Sequence, residues 1–119
     1  MPEKRTYAGG CHCGKVRYEV TTDLERVMQC NCSICSKKGF LLNFVPADEF
    51  ELLSGKDELV DYQFNTKNVH HLFCRSCGVQ SFGTGTGRQG AQVYMVNVRC
   101  LDEVELSDFE VTPFDGKSL

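Results

Sequence analysis

Eight cysteines in 119 residues constrain this chain more than any other feature. Seven of them fall into three short clusters: Cys11 and Cys13 in GGCHCG, Cys30, Cys32 and Cys35 in CNCSICSKKG, and Cys74 and Cys77 in FCRSCG. Cys100 stands apart from these. Such spacing suits either disulfides or metal, and the compartment decides between them. The first ten residues, MPEKRTYAGG, are polar and charged and have no apolar core that would act as a secretory signal, so a cytoplasmic location is expected. In a reducing cytosol, clustered thiols hold metal or do chemistry rather than pair as disulfides.

Zinc fixes the geometry that the clusters must reach. Its bonds to sulfur are about 2.3 Å long, so neighbouring corners of a tetrahedron lie about 3.8 Å apart. Cys74-x-x-Cys77, followed by Gly78, forms a strong half-site, because a short turn brings both thiolates to one ion and a left-handed glycine aims backbone donors at the sulfurs. Cys11 and Cys13 on a straight strand would stand about 6.6 Å apart, so a kink is required there, with Gly9, Gly10 and Gly14 as its sources of freedom. Two half-sites would complete a four-cysteine centre, although spacing alone does not say which two combine. Cys30, Cys32 and Cys35 supply only three corners. If Cys100 fills the fourth, both metals are structural; if Cys100 is a buried free thiol, the triad keeps a coordination position for a visitor. Three thiolates weaken the Lewis acidity of zinc, so an open site of this kind favours holding a substrate thiol over hydrolysis.

The remaining composition narrows the partners. A formal charge of −3 argues against nucleic acid, and no apolar run approaches the ~20 residues of a membrane span. With 41% hydrophobic and 24% charged residues, one soluble domain over residues 1–119 is expected. KVRYEV alternates so that Val16, Tyr18 and Val20 share a face, and RVMQC, LLNFV, FELL, LVDYQF, VHHLFC, VQSFGT and AQVYMVNV continue the strand pattern. These runs predict an all-β chain of packed antiparallel sheets stapled by zinc, with both ends frayed. One helical turn is expected after Pro46 and another in LDEVELSD. GTGRQG matches a dinucleotide-loop pattern, but the strand-like AQVYMVNV follows it where a helix is required, so it reads as a hairpin loop.

The three cysteine motifs, in this order and together with VNVRCLD, resemble the glutathione-dependent formaldehyde-activating enzyme family, whose domain also occurs in the centromere protein V group. The resemblance implies an Mss4-like β fold, a structural zinc on Cys11, Cys13, Cys74 and Cys77, and a second zinc on the catalytic triad Cys30, Cys32 and Cys35. It implies a carbon–sulfur lyase that joins glutathione to formaldehyde or reverses that addition. Lys37, Lys38 and Arg75 are then the residues proposed to grip the carboxylates of glutathione, against the plainer reading of solvated surface charge. His12, His70 and His71 supply no obvious proton donor from sequence. The alternative is a non-enzymatic zinc module that binds a protein. That reading predicts a closed second site and no cavity beside the triad. Sensing of oxidants by the triad thiols is compatible with either reading.

Overall fold

The computed structural model describes residues 3–63, 69–87 and 90–115. The strands run β1 (Arg5–Gly10), β2 (Arg17–Thr22), β3 (Val27–Cys30), β4 (Leu42–Pro46), β5 (Phe50–Ser54), β6 (Leu59–Tyr62), β7 (His70–Cys74), β8 (Phe82–Thr86), β9 (Gln92–Asn97) and β10 (Val111–Phe114). One α-helical turn, α1, covers Cys35–Lys38. The fold is all-β, as the alternation of apolar residues predicts. The expected helical turns are short 3₁₀ segments, at Ala47–Glu49 and Leu106–Asp108.

Two sheets form. One has the order β1-β2-β5 and the other β10-β3-β4-β9-β8-β7-β6. All pairings are antiparallel except β10 with β3, which run parallel with Val111 beside Val27 and Phe114 beside Cys30. The expected fraying concerns the two ends, and residues 1–2 and 116–119 lie outside the described residues; inside them Arg5–Gly10 pairs with β2, and Val111–Phe114 closes the edge of the larger sheet. Pro113 is tolerated there because an edge strand leaves one row of backbone donors unused.

The alternating face of β2 builds the core. Val16, Tyr18 and Val20 are fully buried, together with Val27, Val96 and Val98. Tyr18 packs its ring 4.9 Å from Phe50 and 5.6 Å from Phe82, and Phe50 stacks on Tyr94 at 4.3 Å. Such a cluster removes large apolar area from water and so holds the smaller sheet against the larger. The Tyr18 hydroxyl donates to the Ser81 carbonyl at 2.9 Å, and burial pushes its ionisation well above the usual phenol range.

GTGRQG joins two antiparallel strands, β8 and β9, and the Gly87 amide donates to the Ala91 carbonyl at 2.7 Å. No helix follows it, which removes the nucleotide reading. Arg88 and Gln89 of that loop, like Phe64 at the end of LVDYQF, lie outside the described residues. Among the described residues, no helix is long and apolar enough to cross a membrane.

Candidate functional site

The first cysteine group forms where β1 and β7 end. The kink expected at Cys11 follows the last residue of β1: the Cys11 amide donates to the Val16 carbonyl at 3.1 Å, and the Gly14 amide to the Cys11 carbonyl at 3.3 Å. Gly14 supplies the freedom expected of it by taking a left-handed conformation, with φ of 83°. Gly9 and Gly10 do not; they remain in β1, where a Cβ on Gly10 would lie 2.1 Å from the Val16 carbonyl oxygen. Their small size, not their torsional freedom, is what the turn uses. On the other side, Gly78 has φ of 78° and donates to the Cys74 carbonyl at 2.8 Å, closing the Cys-x-x-Cys turn.

The sulfurs of Cys11 and Cys13 are 3.6 Å apart and those of Cys13 and Cys74 are 3.7 Å apart. All four sulfurs, with Cys77, lie within 4.8 Å of one another. The spacing matches the ~3.8 Å edge of a four-sulfur tetrahedron, so this group could hold a metal ion. Backbone amides already face the sulfurs: Val16 donates to Cys11 and Ser76 to Cys74, each at 3.4 Å. Hydrogen bonds from the Cys13 and Val79 backbones bring the Cys77 thiol down to about 6, which favours the thiolate that a metal needs.

The second group assembles locally. β3 ends at Cys30, a turn carries Cys32, and α1 begins at Cys35. The Ser36 amide bonds to the Cys32 carbonyl at 2.9 Å, winding the chain so that positions 32 and 35 face the same side. Gly39 closes the turn with φ of 70° and donates to the Cys35 carbonyl at 2.9 Å. The sulfurs of Cys30, Cys32 and Cys35 lie within 4.8 Å of one another, so this group too could hold a metal ion. Burial pushes the Cys32 thiol up, but hydrogen bonds from the Cys35 backbone and from the Cys35 and Cys30 side chains outweigh it, leaving a net downward shift. Cys35, more deeply buried and beside Cys32, is shifted upward.

Cys100 is not a member of the triad. Its sulfur points at the Gln80 carbonyl, 4.0 Å away. Burial, and then the negative charge of Cys11 and Cys77, push its thiol up to about 11. Those partners belong to the four-cysteine group, so Cys100 is a half-buried thiol beside the other centre.

What the triad faces is a cavity of about 300 Å³. Its wall is mostly apolar, with Met28, Ile34, Phe40, Leu42, Phe82 and Met95 joining the three cysteines. Phe44, Val69 and Phe114 also line it and are themselves exposed, so they form its rim. The polar lining is His71, Gln80 and Asn97. His71 is buried, with its Nδ1 3.4 Å from Gln80 Nε2, and burial followed by the charge of Lys38 lowers its pKa. The Asn97 side chain donates to the Gln80 carbonyl at 3.1 Å, fixing that wall.

The structure separates the three basic residues singled out from sequence. Lys38 donates to Gln80 Oε1 at 3.2 Å, with its ammonium 5.3 Å from the Phe73 ring centre, and so stands next to the cavity wall. Lys37 is exposed on α1. Arg75 donates to the Asp57 carbonyl at 2.5 Å, in the turn that carries Cys74 and Cys77. Of the histidines, His12 is exposed and His70 pairs with Asp61 at 2.7 Å. Sequence reading missed Gln80, and it gave His71 no special place among the histidines. The one available signal was that His71 alternates with Leu72 and Phe73 on a strand, and alternation does not say which face meets a cavity.

Comparison with known proteins agrees with this geometry. A crystal structure of a protein from Rhodobacter sphaeroides is similar to it at 32% identity, with a TM-score of 0.79, covering 90% of this chain and 99% of that one. The family model described as glutathione-dependent formaldehyde-activating enzyme matches residues 6–113, a span that contains both cysteine groups and the cavity wall. The chain therefore belongs to the glutathione-dependent formaldehyde-activating enzyme family.

Proposed function

We propose that the protein is a zinc-dependent carbon–sulfur lyase acting on the adduct of a small thiol and a small aldehyde. The observation that carries this reading is the cavity: the three-cysteine group opens onto it, and among the described residues no fourth Cys, His, Asp or Glu joins the group. The four-cysteine group fits a structural zinc, and the triad fits a zinc with one position left for a substrate. When bound at the triad, zinc supplies a site for the substrate sulfur and favours its thiolate at neutral pH.

The chain's own residues do the rest. Cys30, Cys32 and Cys35 fix where the sulfur sits, and the Cys32 amide, donating to the Cys30 sulfur at 3.4 Å, holds that loop in place. The apolar wall excludes water, which keeps the carbonyl from competing hydration and strengthens polar contacts inside. In the direction of synthesis, the sulfur–carbon bond forms, the carbonyl becomes a hydroxyl, and the thiol proton ends on that oxygen. His71 and Gln80 are the lining groups suited to hydrogen-bond it. Lys38 donates to Gln80 Oε1, which turns the Gln80 amide nitrogen toward His71 Nδ1, and the downward shift of His71 favours its neutral imidazole.

Exchange between glutathione, formaldehyde and their hydroxymethyl adduct, followed by NMR line broadening on the metal-loaded protein, tests the reading. Acceleration is expected for the wild type. Cys32→Ser is expected to lose one metal equivalent and return exchange to the uncatalysed rate. A wild-type rate no greater than that of Cys32→Ser would reject the lyase.

A further inference from the structure

The cavity is the wrong kind of space for formaldehyde or for the peptide of glutathione. Formaldehyde has two heavy atoms, while about 300 Å³ admits a group of several carbons and falls at the lower end of ordinary ligand pockets. Glutathione carries two carboxylates and an ammonium. Among the described residues, no Asp, Glu, Lys or Arg lines the cavity. Lys38, which reaches the wall residue Gln80, is engaged there and over the faces of Phe40 and Phe73. A charge placed inside would lose its hydration, and no charged side chain among the described lining residues replaces it. An alkyl or aryl group would meet the side chains of Met28, Ile34, Phe40, Leu42 and Met95 and displace water from apolar surface.

From this wall we infer that the cavity takes the apolar substituent of the thiol–aldehyde adduct, an alkyl chain or aryl ring, with the sulfur at the triad and any charged part of the thiol left outside the rim. The inference rests on the lyase reading for the sulfur's position, but the character of the wall stands independently of it. Addition joins sulfur to the carbonyl carbon and moves the thiol proton to the oxygen; cleavage is the reverse, so no oxidant or reductant is needed. The apolar group arrives on either the aldehyde or the thiol.

Binding and turnover on the metal-loaded full chain test this. Phenylmethanethiol is expected to bind at least about tenfold more tightly than glutathione, as burial of a ring predicts. Val69→Asn and Phe44→Asn, both at exposed rim positions and adding no charge, are each expected to weaken phenylmethanethiol several-fold and glutathione by less. Glutathione binding as tightly as phenylmethanethiol would overturn the inference. Phenylmethanol, which has the ring but no thiol, separates this result from the lyase reading: a thiol that binds no better than the alcohol removes sulfur capture, while the contrast between ring and peptide still decides the nature of the cavity. In turnover, hexanal with glutathione outpacing formaldehyde with glutathione assigns the apolar group to the aldehyde. Formaldehyde with phenylmethanethiol outpacing the same reference assigns it to the thiol. Turnover in which neither exceeds the reference pair counts against it.

Discussion

Tyr18 shows what one residue contributes and how much of it a sequence discloses. Its burial is readable from the alternation of Val16, Tyr18 and Val20, since every second side chain of a strand shares a face. Its hydroxyl's partner is not, because Ser81 is 63 positions away and enters through the second sheet. Tyr18→Phe keeps the ring contacts with Phe50 and Phe82 and removes one of two donors to the Ser81 carbonyl, which still accepts from the Asn97 amide at 3.0 Å. The expected loss is about 0.5–1.5 kcal/mol, read as a lower denaturation midpoint at constant slope. An unchanged midpoint would mean that the Asn97 amide alone satisfies the Ser81 carbonyl. His71 follows the same logic: its residue type was visible, but its contact with Gln80 was not, since Gln80 lies in the segment between the Cys74–Cys77 turn and β8.

At the scale of elements, pattern was legible where a segment has one buried face and silent where it has none. β1 has buried residues only at its glycine end, and β10 is exposed throughout, so neither carries the period-two signal, and backbone pairing alone defines them. β10 nonetheless matters to the site, since Phe114 lines the cavity and its carbonyl accepts the Asn31 amide at 3.1 Å, beside Cys30. α1 was also missed, being a single turn without an apolar stripe. Its function is to bring Cys35 round to Cys32, and its left-handed cap at Gly39 ends it. A Cβ on Gly39 would meet nothing within 4 Å, so the cost of Gly39→Ala is backbone strain alone, about 1–2 kcal/mol. That strain falls on the triad turn. Gly39→Ala is expected to weaken the more labile metal severalfold in a competition titration with a colorimetric chelator, while the tighter metal is unaffected. Equal weakening of both would show that α1 does not act on the triad alone.

Across the whole molecule the two cysteine groups differ in what they tie together. The triad spans six consecutive positions and closes a short loop, so its metal constrains little chain. The other group joins the turn after β1 to the end of β7, with Cys13 and Cys74 separated by 61 positions, and so links the smaller sheet to the larger. Clustered cysteines were plain in the sequence, but this pairing was not derivable from spacing, since it depends on where the strands place their ends. A metal that closes a long loop contributes directly to folding free energy. Burial does not separate the groups, since Cys13 is exposed and Cys35 buried; what does is that Cys30, Cys32 and Cys35 line the cavity, while the other four tie distant strands together. Graded chelation should therefore release metal in two stages. The first equivalent is expected to leave with the sheet signal and amide-exchange protection intact, and thiol exchange with aldehyde lost. The second is expected to leave only as the protein unfolds, with protection of β2 and β7 collapsing together. Release of both equivalents in one unfolding step would mean that the triad, too, holds the sheets in place, and would remove the distinction between a working metal and a structural one.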